Sequence, residues 1–346
     1  MWVTSSAETV LTPTAVALGN FDGVHQGHQR VILPVLNFAI ISSASSTSQP
    51  VTQVSSFNEI ESVYATVATF NPHPQEFFTG NVRQLLTPPE EKALQLQRLG
   101  VQQLVLLPFD RDLAKLTPPE FVEQILVRQL RVQHVSVGAD FCFGHRRSGM
   151  VDDLKALCHA HQIAVTIVPL QTSLNDTSDS QPRRISSSDI RTALLTGDLN
   201  QANQLLGRCY QLIGQVVYGQ QVGRTIGFPT ANLQLPPQKF LPRDGVYAVR
   251  VNLPTSIAPI SGVMNLGDRP TIDSIGKAEL GKTIELHLLD WSGDLYGQTL
   301  TVDLEQFLRP EQKFGSLMEL KAQIQTDCEV ARAMLATPIV TYKSHP

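Results

Sequence analysis

Cysteine is scarce in this chain. Its 346 residues hold four, Cys142, Cys158, Cys209 and Cys328. No two are close enough for a C-x-x-C knuckle or a zinc ribbon. Four reduced thiols in a reducing compartment are expected, which points to the cytoplasm. An excess of one charge is also missing: 27 Lys+Arg against 31 Asp+Glu leave a net charge of −4. A duplex nucleic-acid binder carries a strong basic excess, so nucleic acid is not an expected partner. No Lys or Arg precedes Arg30, which argues against a secretory signal or transit peptide. The longest apolar stretch, residues 31–41, is broken by Pro34 and Asn37. It falls short of the roughly 20 residues that span a bilayer, so no membrane association is expected. Repeats of solenoid length are absent as well.

What remains is ordinary globular composition, 42% hydrophobic and 17% charged. The length suggests two domains at about 150 residues each. In the first half, short apolar runs at 14–19, 62–70, 103–107, 133–137 and 163–169 read as strands. Helix-periodic segments at 26–41, 88–99, 119–130 and 151–161 lie between most of them. That alternation predicts an α/β domain, a doubly wound, Rossmann-like parallel sheet with ligands at the carboxyl ends of its strands. Two helices share a start signal, T-P-P-E at 87–90 and at 117–120. In each, Thr can cap, Pro suits the first helical position and Glu can close a capping box. Residues 42–58 and 171–182 are polar and read as surface loops.

Two short helices are expected over 186–206, broken at Gly197. After Gly207 the pattern changes to short alternating strands at 210–218, 246–253, 260–265, 283–289 and 299–304. Strands of this kind suit an antiparallel barrel or a sandwich. A long terminal helix over 317–335 follows, opened by Ser316 and Glu319 as a capping box. The domain boundary is placed near Gly207, giving domains 1–206 and 207–346.

The sharpest motif is G-N-F-D-G-V-H-Q-G-H at 19–28, at a strand end and a helix start. His25 and His28 share one side of the helix's first turn. Unpaired N–H groups and the positive end of the helix dipole lie there too. Gly27 leaves room for a phosphate. Gly19, Asn20, Asp22, His25, Gly27 and His28 are therefore candidates for a triphosphate site. T-F-N-P-H-P at 69–74 offers Phe70 and two prolines as a flat apolar wall, or as plain strand-end packing. Asp140, in G-A-D-F-C-F-G at 138–144, lies just past a strand end and could equally be a turn cap. Ser186, Ser187, Ser188 and Arg191 form a second phosphate cradle or a capped helix.

These motifs resemble the HxGH nucleotidyltransferase superfamily, and the Phe-Asp-Gly form looks most like the first domain of bacterial bifunctional riboflavin kinase/FAD synthetases. The resemblance implies that FMN's phosphate attacks the α-phosphorus of ATP and pyrophosphate leaves. His25, His28 and Arg191 would contact phosphates, and Phe70, Pro72, His73 and Asp140 the flavin. Two departures stand out: Cys142 where many relatives carry Arg, and Ser188 where Thr is usual.

The second half holds G-R-T-I-G-F-P-T-A-N at 223–232, with no Walker A loop. Gly223, Arg224 and Gly227 allow backbone approach to phosphate, Thr230 offers a hydroxyl and Asn232 an amide oxygen. Alone, this is equally a Gly/Pro turn before a strand. It resembles the riboflavin kinase signature, as do G-V-M-N-L-G-D-R-P-T at 262–271, I-E-L-H at 284–287, D-L-Y-G at 294–297 and L-R-P-E-Q-K-F at 308–314. The resemblance implies a barrel. It makes Glu285, a solvent-side residue by alternation, the general base for riboflavin's 5′-hydroxyl. Thr230 and Asn232 would hold Mg²⁺ with ATP, and Arg309 would lie near the flavin or the phosphates. Arg224 would hold phosphate or make a surface ion pair.

The expectation is thus FAD biosynthesis from riboflavin by two ATP-dependent steps, with Mg²⁺ and no nucleic-acid or membrane partner, and a weak homo-oligomer left open. The rival readings are another HxGH transferase, a kinase with a silent first half, and a flavin- or nucleotide-binding regulator.

Overall fold

A computed structural model describes residues 1–44, 62–170, 172–173, 183–219, 223, 226–254, 256–272 and 278–336. The polar stretch 42–58 therefore lies outside the described residues apart from 42–44, and 171–182 apart from 172–173. The chain forms two compact units, Met1–Ser186 and Ser187–Pro346.

The first unit carries six parallel strands: β1 (Trp2–Thr4), β2 (Thr14–Leu18), β3 (Tyr64–Asn71), β4 (Gln103–Pro108), β5 (Val132–Gly138) and β6 (Ala164–Val168). Their order is β1-β4-β3-β2-β5-β6. The order reverses between β2 and β5, so the switch point opens at the carboxyl ends of those two strands. The helices are α1 (Gln26–Ala44), α2 (Pro74–Thr79), α3 (Pro89–Arg98), α4 (Arg111–Lys115), α5 (Pro118–Phe121, running on as a π-helix over Val122–Gln129) and α6 (Val151–Ala160). Every residue of β2 is buried. Val16 and Leu18 face one core, with Phe121, Leu126 and Leu154. Ala15 and Ala17 face the other, with Ile32, Val35 and Leu96. Period-2 alternation feeding two apolar cores is what makes the sheet doubly wound. Strand β1 and helices α2 and α4 escaped the sequence reading because segments of three to six residues carry too little periodicity.

In the second unit, α7 (Ser187–Thr196) and α8 (Leu199–Leu206) are broken at Gly197, whose φ of 83° is left-handed. Two-residue strands β7 (Thr172–Ser173) and β8 (Arg183–Arg184) pair in the first unit. The remaining strands are β9 (Tyr210–Val217), β10 (Ala231–Gln234), β11 (Gly245–Asn252), β12 (Ile260–Ile272), β13 (Ala278–Leu288) and β14 (Thr299–Arg309). They close as a barrel, β10-β13-β12-β11-β14-β9, which decides barrel over sandwich. Strand β10 has four residues, too few to show alternation, and the sequence marks it only as the strand that follows a Gly/Pro turn. Closure depends on it, because β10 pairs with both β9 and β13. The sequence division was placed near Gly207, whereas the compact units meet after Ser186. Buried Asn203 of α8 shows why α7 and α8 go with the barrel. Its amide donates to Leu304 O at 3.0 Å and accepts from Tyr210 N at 2.7 Å.

The terminal helix (Leu317–Leu335) packs Cys328, Ala331 and Leu335 onto Val246, Ala248 and Val263. Ser316 caps it by accepting from Glu319 N at 3.2 Å. Glu319 itself accepts from Gly315 N at 2.9 Å, one residue before the position a capping box requires.

Two candidate active sites

The loop after β2 carries the first site. Its backbone is forced: Phe21 and Val24 have φ of 47° and 43°, and both side chains are buried. Left-handed backbone at a bulky or β-branched residue costs on the order of 1–3 kcal/mol and persists only where the surroundings hold it. Here the holding groups come from elsewhere in the chain. Thr87 Oγ1 accepts from Gly23 N at 2.9 Å, and Thr87 N donates to Asp22 Oδ1 at 3.2 Å. Asn20 O accepts from Thr69 Oγ1 at 3.1 Å and from Lys92 Nζ at 2.8 Å. Asp22 is 3% exposed and Lys92 7%. Burial pushes the Lys92 ammonium down to about 8, with the Asp22 carboxylate opposing the shift.

The two T-P-P-E motifs part company here. Thr117 donates to Glu120 Oε2 from its backbone N at 2.8 Å and its hydroxyl at 2.7 Å, as a helix start should. Those bonds hold the exposed Glu120 carboxyl below its usual range. Thr87 was expected to cap α3, but the N-cap is Pro88 with no side-chain bond. The Thr87 hydroxyl supports the phosphate-loop candidate instead, because Gly23 offers an N–H that the helix does not need.

His25 and His28 stack, with ring centroids 3.6 Å apart and planes 18° apart. His28 N donates to His25 Nδ1 at 3.3 Å. Accepting at Nδ1 fixes the neutral His25 tautomer with its proton on Nε2, a donor suited to phosphate oxygen. A Cβ on Gly27 would sit 3.2 Å from the His25 ring, so the glycine serves that ring as well as any ligand. Gly19 lies against the Phe21 ring in the same way, at 3.2 Å.

Phe70 meets Phe109 edge-on at 5.4 Å, and Phe109 also meets Phe77 at 5.4 Å and Phe78 at 5.8 Å. Phe78 is 70% exposed. Phe77, Phe78 and Phe109 were not singled out from sequence, since they lie in short segments that only the β3 and β4 ends bring together. Pro72 follows a cis peptide, and His73 caps α2 by accepting from Gln75 N at 3.1 Å. Asp140 is exposed just past β5, and Cys142 Sγ lies 3.6 Å from its carbonyl. Ser186 ends the first unit, while Ser187, Ser188 and Arg191 begin the second. Within that unit Arg191 Nη1 donates to Ser187 O at 3.3 Å, and its guanidinium lies 5.4 Å from the Phe240 ring centroid.

The second site is set by strand register. Glu285 of β13 pairs with Asn232 of β10 on one side and with Asn265 of β12 on the other. All three are half-buried while their chain neighbours are buried, so they form one row across three strands. Asn265 lies in G-V-M-N-L-G-D-R-P-T at 262–271, and only the strand register shows it beside Glu285. A Cβ on Gly219 would fall 2.0 Å from the Asn232 amide, so that glycine makes the space Asn232 occupies. Gly223 O accepts from Phe228 N at 2.8 Å, and a Cβ there would meet Phe228 O and Thr230. His287 Nδ1 donates to Pro229 O at 2.8 Å, tying the segment before Thr230 to β13. Gly227 has a φ of 92° with open space around it. Arg224 lies outside the described residues. Arg309, expected near flavin or phosphate, is placed in a bidentate pair with Asp327 of the terminal helix, at 2.8–3.2 Å. Its Nη1 donates to Pro310 O at 3.1 Å, so this guanidinium is committed to anchoring that helix.

Among the described residues no cluster of three or more His, Cys, Asp or Glu could hold a metal ion, and no helix is long and apolar enough to cross a membrane.

The comparisons with known proteins divide along the same line. Residues 7–182 match the FAD synthetase family model and residues 206–335 the riboflavin kinase model. The bifunctional riboflavin kinase/FMN adenylyltransferase of Pseudomonas fluorescens is 39% identical over 92% of this chain and 92% of its own length. The enzyme of the same name from Bacillus subtilis is 36% identical over 92% of this chain and 91% of its own. A solved Streptococcus pneumoniae chain, described as a macrolide-efflux protein, superposes with a TM-score of 0.76 at 29% identity, covering 95% of this chain and 98% of that one. With both catalytic halves matched and relatives above 30% identity along nearly the whole length, the chain belongs to the bifunctional riboflavin kinase/FMN adenylyltransferase family.

Proposed function

We propose that the second unit phosphorylates riboflavin to FMN, and that the first transfers the adenylyl group of ATP to FMN, giving FAD and pyrophosphate. The carrying observation is that each unit brings its own polar groups together: the stacked His25/His28 pair in one, the Asn232–Glu285–Asn265 row in the other.

In the kinase unit, Glu285 takes the proton from riboflavin's 5′-hydroxyl as that oxygen bonds to the γ-phosphorus of ATP. The bond to the β,γ-bridging oxygen breaks and ADP leaves. Asn232, opposite Glu285, offers an amide oxygen, and Thr230, two residues before it, a hydroxyl. This donor set suits Mg²⁺, which keeps waters and phosphate oxygens and needs few protein ligands. Bound there, Mg²⁺ would neutralise charge on the transferred phosphoryl group. Gly223 and Gly227 let the backbone approach the phosphates.

In the adenylyltransferase unit, an FMN phosphate oxygen bonds to the α-phosphorus of ATP as the bond to pyrophosphate breaks. No protein nucleophile is required, so catalysis is alignment and charge neutralisation. His25, through Nε2–H, and His28 hold the triphosphate, with backbone N–H groups of the first turn of α1. Phe70, Pro72 and the Phe77/Phe78/Phe109 cluster form the flat apolar wall for the flavin ring. Both reactions belong in the cytoplasm, where four free thiols stay reduced.

The test is a product assay. Purified protein with riboflavin, ATP and Mg²⁺ should yield FMN first and FAD after it. Absence of both would overturn the reading, and FMN alone would confine it to the kinase.

A further inference from the structure

A buried lysine in α3 takes no part in the chemistry above, yet it reaches the phosphate loop. Lys92 Nζ donates to Asn20 O at 2.8 Å, beside the buried Asp22 carboxylate. The loop it grips is the one forced into left-handed backbone at Phe21 and Val24, which flank Asp22 and Gly23 directly. An ammonium is a poor choice for stability alone. Its burial is costly, and apolar side chains of similar volume often stabilise such positions more. Asn20 O already has a neutral donor in Thr69 Oγ1, and Asp22 already accepts from Thr87 N. The added charge therefore bonds Asn20 and attracts the Asp22 carboxylate from one point on α3.

We propose that Lys92 is a positioning residue for adenylyl transfer, its ammonium fixing the Asn20–Asp22 turn so that His25 and His28 meet the triphosphate in register. The inference rests on the assignment of adenylyl transfer to this loop. It needs the charged form of the side chain. The charged group that acts on Lys92 is Asp22 from the β2–α1 loop, and the loop's other bonds come from neutral Thr69 of β3 and neutral Thr87 ahead of α3. Glu91, its neighbour on α3, is also buried. Burial has already pushed the ammonium down to about 8, so proton loss falls within a measurable pH range.

The experiment compares the full-length wild type with Lys92→Met and Lys92→Arg, assaying FMN plus ATP to FAD and riboflavin plus ATP to FMN on the same samples. Lys92→Met should lower kcat for adenylyl transfer by about tenfold or more while KM for FMN and ATP moves within about twofold, as expected for misplaced but still binding groups. FMN formation should not change. The wild-type adenylyl-transfer rate should fall as pH rises through about 8, and Lys92→Arg, which stays charged, should carry its activity past that limb. A Lys92→Met kcat within twofold of wild type would overturn the proposal. So would an alkaline limb identical in wild type and Lys92→Arg, a result that stands even if the Met variant folds poorly. A wild type that makes no FAD from FMN at any pH would instead defeat the assignment of adenylyl transfer itself.

Discussion

The two sites are placed by different means. In the first unit, buried side chains from distant segments hold the loop: Thr69, Thr87 and Lys92 reach Asn20, Asp22 and Gly23 across gaps of 49 to 72 residues. In the second, backbone pairing does the work, setting Asn232 and Asn265 either side of Glu285. A site built on side-chain bonds can be loosened by one distant substitution. A site built on strand register resists such changes and is sensitive to whatever crowds its row. The two families of effect should therefore be separable within one chain.

The largest expected effect is at the row itself. Glu285→Gln should lower riboflavin phosphorylation by about 10²–10⁴-fold, the usual range for loss of a general base, and leave FAD formation from supplied FMN intact. Rates with each substrate measured separately check this. Next, Gly219→Ala puts a methyl where the Asn232 amide lies. A shift of that amide by about 1 Å should cost up to about 10²-fold in kinase rate, again sparing adenylyl transfer.

Smaller is the pair Thr87→Val and Thr117→Val, which removes one hydroxyl from each of two identical motifs. Thr87→Val leaves the buried Gly23 N–H without its acceptor, a penalty of about 1–3 kcal/mol. It should slow adenylyl transfer as well as lower the melting temperature. Thr117→Val should lower the melting temperature slightly and leave both rates unchanged. Equal effects from the two would remove the distinction drawn between them.

The smallest is a pH effect on the first unit. His134 of β5 is buried, bonded to Thr166 at 2.9 Å, and burial lowers its pKa below the usual 6.5. Its folded pKa lies below the unfolded value, so the unfolded chain binds the extra proton first as pH falls. Stability should drop below about pH 6.5 in melting curves. His134→Gln should flatten that drop.

The chemistry-bearing motifs were legible because their residues are contiguous: H-Q-G-H, P-T-A-N and I-E-L-H can be read in line. The alternation of Ile284 and Leu286 with Glu285 also gave its outward direction. What escaped was tertiary. Thr87 reads as a helix cap in sequence, and only the Gly23 N–H, 64 residues away, redirects it. Lys92 reads as one more charge on an amphipathic helix. Strand β10 is too short to show a period, and Arg309 could not be seen to have Asp327 waiting on the last helix.

One chain should hold two independent sites. Mixing Glu285→Gln protein with His28→Ala protein, then supplying riboflavin, ATP and Mg²⁺, tests it most directly. Neither variant alone should make FAD from riboflavin at more than a trace. The mixture should make FMN on the His28→Ala chain and convert it to FAD on the Glu285→Gln chain. A mixture that accumulates FMN without FAD, or makes neither, would contradict the account.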